Sequence, residues 1–172
     1  LPHWVALNKS NHQWFNIINS EVDLIFYSLK PVAEDSTIKI DGKTFDLVHL
    51  DKDAYDTQPE MKNDYTQNGR LYISIDYSDH PYYTLEDNIV FRFVHDYLVH
   101  IKGNYSFGRG EINSYNLHVK LVPKEAVPAL FTEIVGQVSY AMTFNKFPKQ
   151  KIVVLDGFDF YNIGYYDGKL IG

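Results

Sequence analysis

The spacing of apolar residues in the first part of the chain predicts one helix followed by a hairpin. Within residues 8–29 the apolar side chains recur at helical spacing, and the helix should end before Pro31 because the position preceding a proline disfavours helical geometry. Alternating β-forming residues at 37–40 and 44–48 flank Asp41-Gly42, an arrangement typical of a β-hairpin.

A short helix and a third strand follow the hairpin. Residues 59–67 predict a helix that Asn68-Gly69 ends, because glycine readily takes the left-handed conformation that closes a helix. Apolar residues at 71, 73 and 75 then alternate with polar ones, which predicts a half-buried strand.

Beyond residue 83 the pattern becomes helical. Thr84 stands before acidic residues, which is typical of a helix start, and the helix should run to Gly103. Two more helices are predicted over residues 110–121 and 128–144, and a last strand over residues 151–155.

These elements predict an α+β fold, in which a small antiparallel sheet or hairpin in the N-terminal half packs against a three-helix layer in the C-terminal half. The length suits a single domain over residues 1–172, strand-rich over 1–83, helical over 84–150, with a final strand and tail over 151–172. Leu1 is not an initiator methionine, so the chain is compatible with being part of a longer one.

Composition excludes several kinds of chemistry. The 172 residues include no cysteine, so disulfides, thiolate metal sites and a cysteine nucleophile are excluded. The formal net charge of −6 makes duplex nucleic acid an unlikely partner, because such binding needs a concentrated cationic surface. No secretory signal is recognisable and no apolar run reaches about 18 residues, so we expect no membrane association.

Ionisable side chains interrupt the apolar pattern on all three predicted helices. They are His95, Asp96 and His100 on the first, Glu111 and His118 on the second, and Glu133 on the third. Without thiolates, imidazole and carboxylate are the groups that bind zinc, manganese or iron, and they also perform general acid–base chemistry.

Helical geometry sorts these residues into faces. Asp96 and His100, four positions apart, share one face, whereas His95 and His100 are about 140° apart on an α-helix and can bind one metal only if the helix ends or kinks there. Glu111 and His118 share a face of the second helix, with Tyr115 between them. Glu133 and Gln137 share a face of the third helix.

Structural roles compete with these functional ones. His95 could be a hydrogen-bonded core histidine, and Asp96 could pair with Arg92 one turn earlier. The loop at 107–110 places Arg109 and backbone amides ahead of a helix, where they could bind an anion, although an ordinary loop is favoured. No nucleotide-cofactor motif is present.

Three short strings carry a family resemblance over about residues 84–155. Residues 91–100 read FRFVHDYLVH, residues 110–111 read GE, and residues 132–137 read TEIVGQ. Together they resemble a group of uncharacterised bacteriophage-encoded proteins with the pattern FRxxHDxxxH … GE … TExxGQ. Val99 stands where that group would have a small residue. The resemblance implies a phage protein located in the host cytoplasm or the virion; it implies no particular activity.

Two hypotheses follow. In the first, the protein is a metal-dependent hydrolase that binds one divalent ion (Zn, Mn or Fe). Its metal ligands would be His95, His100 and His118, its catalytic carboxylates Asp96, Glu111 and Glu133, and its substrate-binding residues Arg109, Tyr115 and Gln137. In the second, it is a non-catalytic structural or interaction protein of a phage particle. The histidines and glutamates would then form a buried hydrogen-bond network, and an aromatic surface would serve a protein partner or self-association.

Overall fold

A four-stranded mixed sheet forms one layer of the molecule. The computed structural model describes residues 1–108, 110–144, 157–166 and 169–171. The strands of the sheet are β1 (Asp23–Ser28), β2 (Thr37–Ile40), β3 (Lys43–His49) and β4 (Arg70–Ser74), and they lie in the order β2-β3-β1-β4. A separate pair, β5 (Gly164–Tyr166) and β6 (Lys169–Ile171), is antiparallel. The strand predicted at 151–155 lies outside the described residues.

Helices make up the second layer, and two of them change winding along their length. The α-helices are α1 (Pro2–Ile18), α2 (Gln58–Asn68), α3 (Leu85–His95), α4 (Gly110–His118), α5 (Val127–Phe131) and α6 (Gln137–Phe144). A π-helical segment (Asp96–Lys102) continues α3, and another (Thr132–Gly136) joins α5 to α6. Short 3-10 turns lie at Asn19–Glu21, Val119–Leu121 and Lys124–Ala126. The architecture is α+β, as predicted.

The central strand β1 corrects the helix predicted over residues 8–29. The helix ends at Ile18, and Asp23–Ser28 pair with strands on both sides. A strand covered on both faces is apolar along most of its length, so its sequence does not alternate and can imitate a helical pattern. Phe26 illustrates this position: it is fully buried and lies opposite both Leu47 and Ile73.

Strand direction also differs from the expected antiparallel sheet. The predicted hairpin is present, with β2 and β3 antiparallel around Asp41 and Gly42, but β1 runs parallel to both β3 and β4. Parallel strands need a crossover connection, and α2 supplies it between β3 and β4, which lie on either side of β1. Parallel strands end at the same edge, so β1 and β4 deliver their following loops side by side.

A capping box fixes the start of α3, the helix that ends at His95. The Thr84 hydroxyl accepts a hydrogen bond from the Asp87 amide, and the Asp87 carboxylate accepts one from the Thr84 amide. Phe93 on this helix packs into a core shared with α1 and the sheet, together with Phe15 and Phe26. Such reciprocal capping fixes where the helix begins and hence which of its faces meets the sheet.

No helix among the described residues has the length and apolar character needed to cross a membrane.

Candidate functional site

The π-helical winding after α3 brings two histidines onto one face. His95 is the last residue of α3 and His100 lies in the π segment. Their ring centroids are 4.9 Å apart with an interplanar angle of 82°. In a π turn the backbone hydrogen bonds join residues five positions apart, as from the Gly103 amide to the Leu98 carbonyl at 3.0 Å. From the sequence, His95 and His100 could bind one metal only if the helix ended or kinked between them. In the structure, a change from α to π winding takes the place of that kink.

Glu111 at the start of α4 completes a group of three donors. Its Oε2 lies 3.2 Å from Nε2 of His95, and its Oε1 lies 2.6 Å from Nε2 of His100. One donor atom from each of the three residues, an imidazole nitrogen or a carboxylate oxygen, lies within 4.8 Å of the other two. Tetrahedral ligands bound at about 2.1 Å stand roughly 3.4 Å apart, so these spacings suit a single metal ion.

A hydrogen bond from Nδ1 of His100 fixes the orientation of the imidazole ring. Nδ1 donates to the backbone carbonyl of Tyr105 at 2.9 Å, and a carbonyl can only accept. Nε2 is therefore the nitrogen directed at Glu111, and it lies 2.6 Å from Oε1. Metal-binding histidines are commonly oriented in this way by a carbonyl on the far side of the ring.

Opposite charges dominate the electrostatics of the group. Burial alone would lower the pKa of His100, but Glu111 and Asp96 outweigh it and raise that pKa. Burial alone would raise the pKa of Glu111, but His95 and His100 outweigh it and hold that pKa well below its usual range. The site thus attracts a positive charge, and either a proton on His100 or a metal cation satisfies it.

His118 lies behind His95 and outside the group of three donors. It is fully buried, and its Nδ1 is 3.2 Å from Nδ1 of His95. Burial lowers the pKa of His118 well below its ordinary value, so the ring is neutral. Oε2 of Glu111 can only accept, so Nε2 of His95 donates to it and Nδ1 of His95 accepts from His118; a metal ion on Nε2 would require the proton between the two Nδ1 atoms to belong to His95. His118 is thus placed to orient His95.

Asp96 stands beside the three donors. Its Oδ1 is 4.0 Å from Nε2 of His100, which agrees with the shared face predicted for these two residues. Burial, the largest influence, raises the pKa of this carboxyl despite the nearby histidines. Arg92, considered as its partner from the sequence, donates to the carbonyls of Ser74, Asp76 and Tyr77 and acts on Asp96 through its charge.

A cavity of about 380 Å³ opens beside the donors, and the π segment Thr132–Gly136 together with α6 forms its other wall. The predicted residues that line it are His95, Asp96, His100, Glu111, Glu133 and Gln137. Three separate segments of the chain therefore meet at one cavity, although of the face predicted for Glu111, Tyr115 and His118 only Glu111 lines it. We call this space the donor cavity.

His80 belongs to this region, although no pattern in the sequence pointed to it. Oε1 of Glu133 accepts hydrogen bonds from Nε1 of Trp4 at 2.9 Å and from Nε2 of His80 at 2.6 Å. Nδ1 of His80 accepts from the amides of Tyr82 and Tyr83, so its proton resides on Nε2. His80 and Glu133 are 53 positions apart and His80 lies in a loop, so no periodic pattern could connect them.

One of the predicted substrate-binding residues, Tyr115, lies outside the donor cavity. Tyr115 is fully buried in the core, and its hydroxyl donates to the carbonyl of Phe160 at 2.6 Å. Arg109 lies outside the described residues, although Gly108 before it lines the cavity.

Comparisons with known proteins found no match to any protein-family model, to any curated protein or to any solved structure. The phage-family resemblance therefore stays a prediction, and function is inferred from the chemistry of the site itself.

Proposed function

We propose that this protein is a metal-dependent hydrolase whose single divalent ion is bound by His95, His100 and Glu111. The observation that carries the proposal is the convergence of their three donor atoms within 4.8 Å beside an open cavity. Two imidazoles and one carboxylate with an open side are the ligand set of one class of hydrolytic zinc sites, and manganese or iron can use similar ligands.

The orientation of His100 supports a prepared site. The Tyr105 carbonyl holds the proton of this imidazole on Nδ1, and Nε2 is directed at Glu111. His118 is placed to do the same for His95 through the Nδ1–Nδ1 contact of 3.2 Å. His118, a ligand in the first hypothesis, thus becomes a residue that orients a ligand.

Glu133 is assigned the role of general base. It lines the donor cavity, and two donors fix its Oε1, so the carboxylate is held without using up a metal ligand. A bound divalent ion would supply an acidified water and polarise the substrate. Glu133 takes a proton from water while the water oxygen bonds to the electrophilic centre. The bond to the leaving group then breaks, and the proton passes from Glu133 to that leaving group.

Metal binding is the direct test. The chelator-treated protein should take up one equivalent of Zn²⁺, Mn²⁺ or Fe²⁺, and a free concentration 100 times the Kd should stabilise it by about 2.7 kcal/mol in thermal unfolding. His100→Ala should abolish uptake, whereas His49→Ala, which removes a surface imidazole, should not. Glu133→Gln should keep the metal and lose turnover of a chromogenic ester or amide.

The contrary outcome is equally specific. If no metal ion raises the unfolding temperature and His100→Ala mainly destabilises the fold, the histidines and Glu111 form a buried hydrogen-bond network, as in the second hypothesis. The hydrolase proposal would then be wrong.

A further inference from the structure

A second cavity, of about 420 Å³, adjoins the donor cavity. Phe91, His95, Asp96 and Phe107 line both spaces, so the two cavities meet at these side chains, one of which, His95, belongs to the group of three donors. We call the second cavity the tyrosine cleft, because Tyr27, Tyr55 and Tyr72 form much of its wall.

The hydroxyls of two of these tyrosines are already engaged. Tyr27 donates to Asp53 at 3.1 Å and accepts from the Ala54 amide. Tyr55 donates to Asp64 at 2.6 Å and accepts from the Tyr72 amide. Both rings are consequently held as walls. Tyr27 is buried, so the aromatic surface open to a ligand belongs mainly to the half-buried Tyr55 and Tyr72.

The charges around the cleft are mainly negative. Its lining includes the carboxylates of Asp53, Asp76 and Asp96 and one guanidinium, that of Arg92. Three of the five N–H donors of Arg92 bond to backbone carbonyls, at 2.6 to 2.8 Å. Among the described lining residues, the one guanidinium thus uses most of its donors within the protein and faces an excess of carboxylates.

Aromatic faces combined with carboxylates favour an organic cation, because a ring quadrupole and a negative charge both attract it. We propose that the tyrosine cleft binds the basic side chain, lysine or arginine, of a peptide substrate whose neighbouring amide bond lies at the donor cavity. This inference rests on the proposed hydrolase function, and it selects peptides over nucleotides as the substrate class.

Amide hydrolysis then takes the form already described for the donor cavity. The water oxygen bonds to the amide carbon, the carbon–nitrogen bond breaks, and the nitrogen leaves as an amine after receiving the proton from Glu133. The new carboxyl group loses the second proton of the water to the amine, so the products are a carboxylate and an ammonium group, and no further reactant is needed.

Binding to the metal-free protein tests the cleft independently of catalysis. In chelator, Nα-acetyl-lysine amide should bind more tightly than Nα-acetyl-norleucine amide, which has a similar length and no charge, with Kd values measured by NMR titration. We expect a difference of about threefold to fivefold, the range of a partly exposed ion pair. The difference should shrink as salt is raised from about 0.05 to about 0.5 M, a readout that needs no variant.

Two matched variants locate the charge. Asp53→Asn removes one of the three carboxylates from the cleft but keeps an oxygen that can accept from Tyr27, so it should weaken the preference for the lysine probe. Asp51→Asn, the same change at a side chain that is 99% exposed, should preserve it. Equal binding of both probes, tighter binding of adenosine monophosphate, or an unchanged preference in Asp53→Asn would overturn the proposal.

Cleavage separates this inference from the hydrolase proposal. The metal-loaded protein should cleave a fluorogenic peptide with lysine beside the reporter amide faster than its norleucine analogue. If neither is cleaved with any of the three metals while the lysine preference in binding persists, the hydrolase proposal fails and the cleft remains a site for basic groups. If both are cleaved equally fast, the assignment of the cleft fails and the hydrolase stands.

Discussion

His95 and His100 are five positions apart in sequence, and their rings lie 4.9 Å apart because the helix widens to π winding between them. An α-helix would direct these two side chains about 140° apart. The ability of this protein to bind one ion with both histidines therefore depends on a backbone conformation that few residues adopt.

Gly103 closes the π segment, and we predict that Gly103→Ala disrupts it. An added Cβ would lie 2.7 Å from the Val99 carbonyl and 2.5 Å from a methyl of Leu117. We expect a loss of about 1–3 kcal/mol in the free energy of unfolding, the cost of overpacking, together with weaker metal binding. Urea unfolding and metal titration measure the two effects. Gly136→Ala, where the nearest atom is 4.0 Å away, should keep full stability; equal losses would argue against a steric role for Gly103.

His80→Gln should slow hydrolysis without weakening metal binding. His80 donates to Glu133, the assigned general base, and is not one of the three donors. Changes at residues that orient catalytic groups commonly cost about ten- to a hundredfold in activity, so kcat should fall by that range. Steady-state kinetics at saturating metal, combined with a metal titration, separate the two quantities. A parallel loss of metal affinity would mean that His80 acts on the ligands instead.

His12 should make stability depend on pH. It lies between Asp41 at 2.8 Å and Asp87 at 2.9 Å; burial alone would lower its pKa, but the two carboxylates outweigh burial and raise it. The contribution of His12 to the free energy of unfolding is therefore complete at a pH below its ordinary pKa of 6.5. It disappears as the pH rises through the higher pKa of the folded state. The free-energy difference between wild type and His12→Gln, about 1 kcal/mol or less, should shrink between about pH 6 and pH 9 in urea unfolding. A difference that grows with pH would contradict this assignment.

Tyr77→Gly should stabilise the protein. Tyr77 has a φ of +55° and a 94% exposed side chain, so it adopts a strained left-handed conformation without packing its ring. Glycine removes that strain, but it also gives the unfolded chain more conformational entropy. After this cost is subtracted, we expect a net gain of about 0.5–1 kcal/mol in the free energy of unfolding. Tyr77→Ala keeps the Cβ and should show no such gain in thermal unfolding. A gain of the same size with alanine would assign the effect to the ring.

Local signals explain which elements the sequence predicted. The hairpin at Asp41-Gly42 and the start of α3 at Thr84 depend on residues within a few positions of one another. Strand β1 escaped prediction because its burial on both faces and its pairing with β3 and β4 arise from segments elsewhere in the chain. Burial by distant partners overrides the period of the local pattern.

The residues of the candidate site were likewise predictable only in part. Ionisable residues among apolar ones identify His95, His100, Glu111 and Glu133 from the amino-acid sequence alone, because such residues are rarely buried without a role. The different position of His118 and the involvement of His80 depend on ring orientation and on contacts between distant segments. Spacing along a helix carries information about neither.

A π turn holds one residue more than an α turn, so the π segment after α3 is equivalent to a single-residue insertion in a regular helix. A relative that lacked one residue between the two histidines would place them four positions apart. Regular α-helical winding then directs both rings to the same side, about 40° apart. Such a relative could keep the ligand pair without the widened turn, so an alignment gap at this point is compatible with an intact site. Loss of the extra residue and loss of a histidine are therefore different evolutionary events, and only the second removes a ligand.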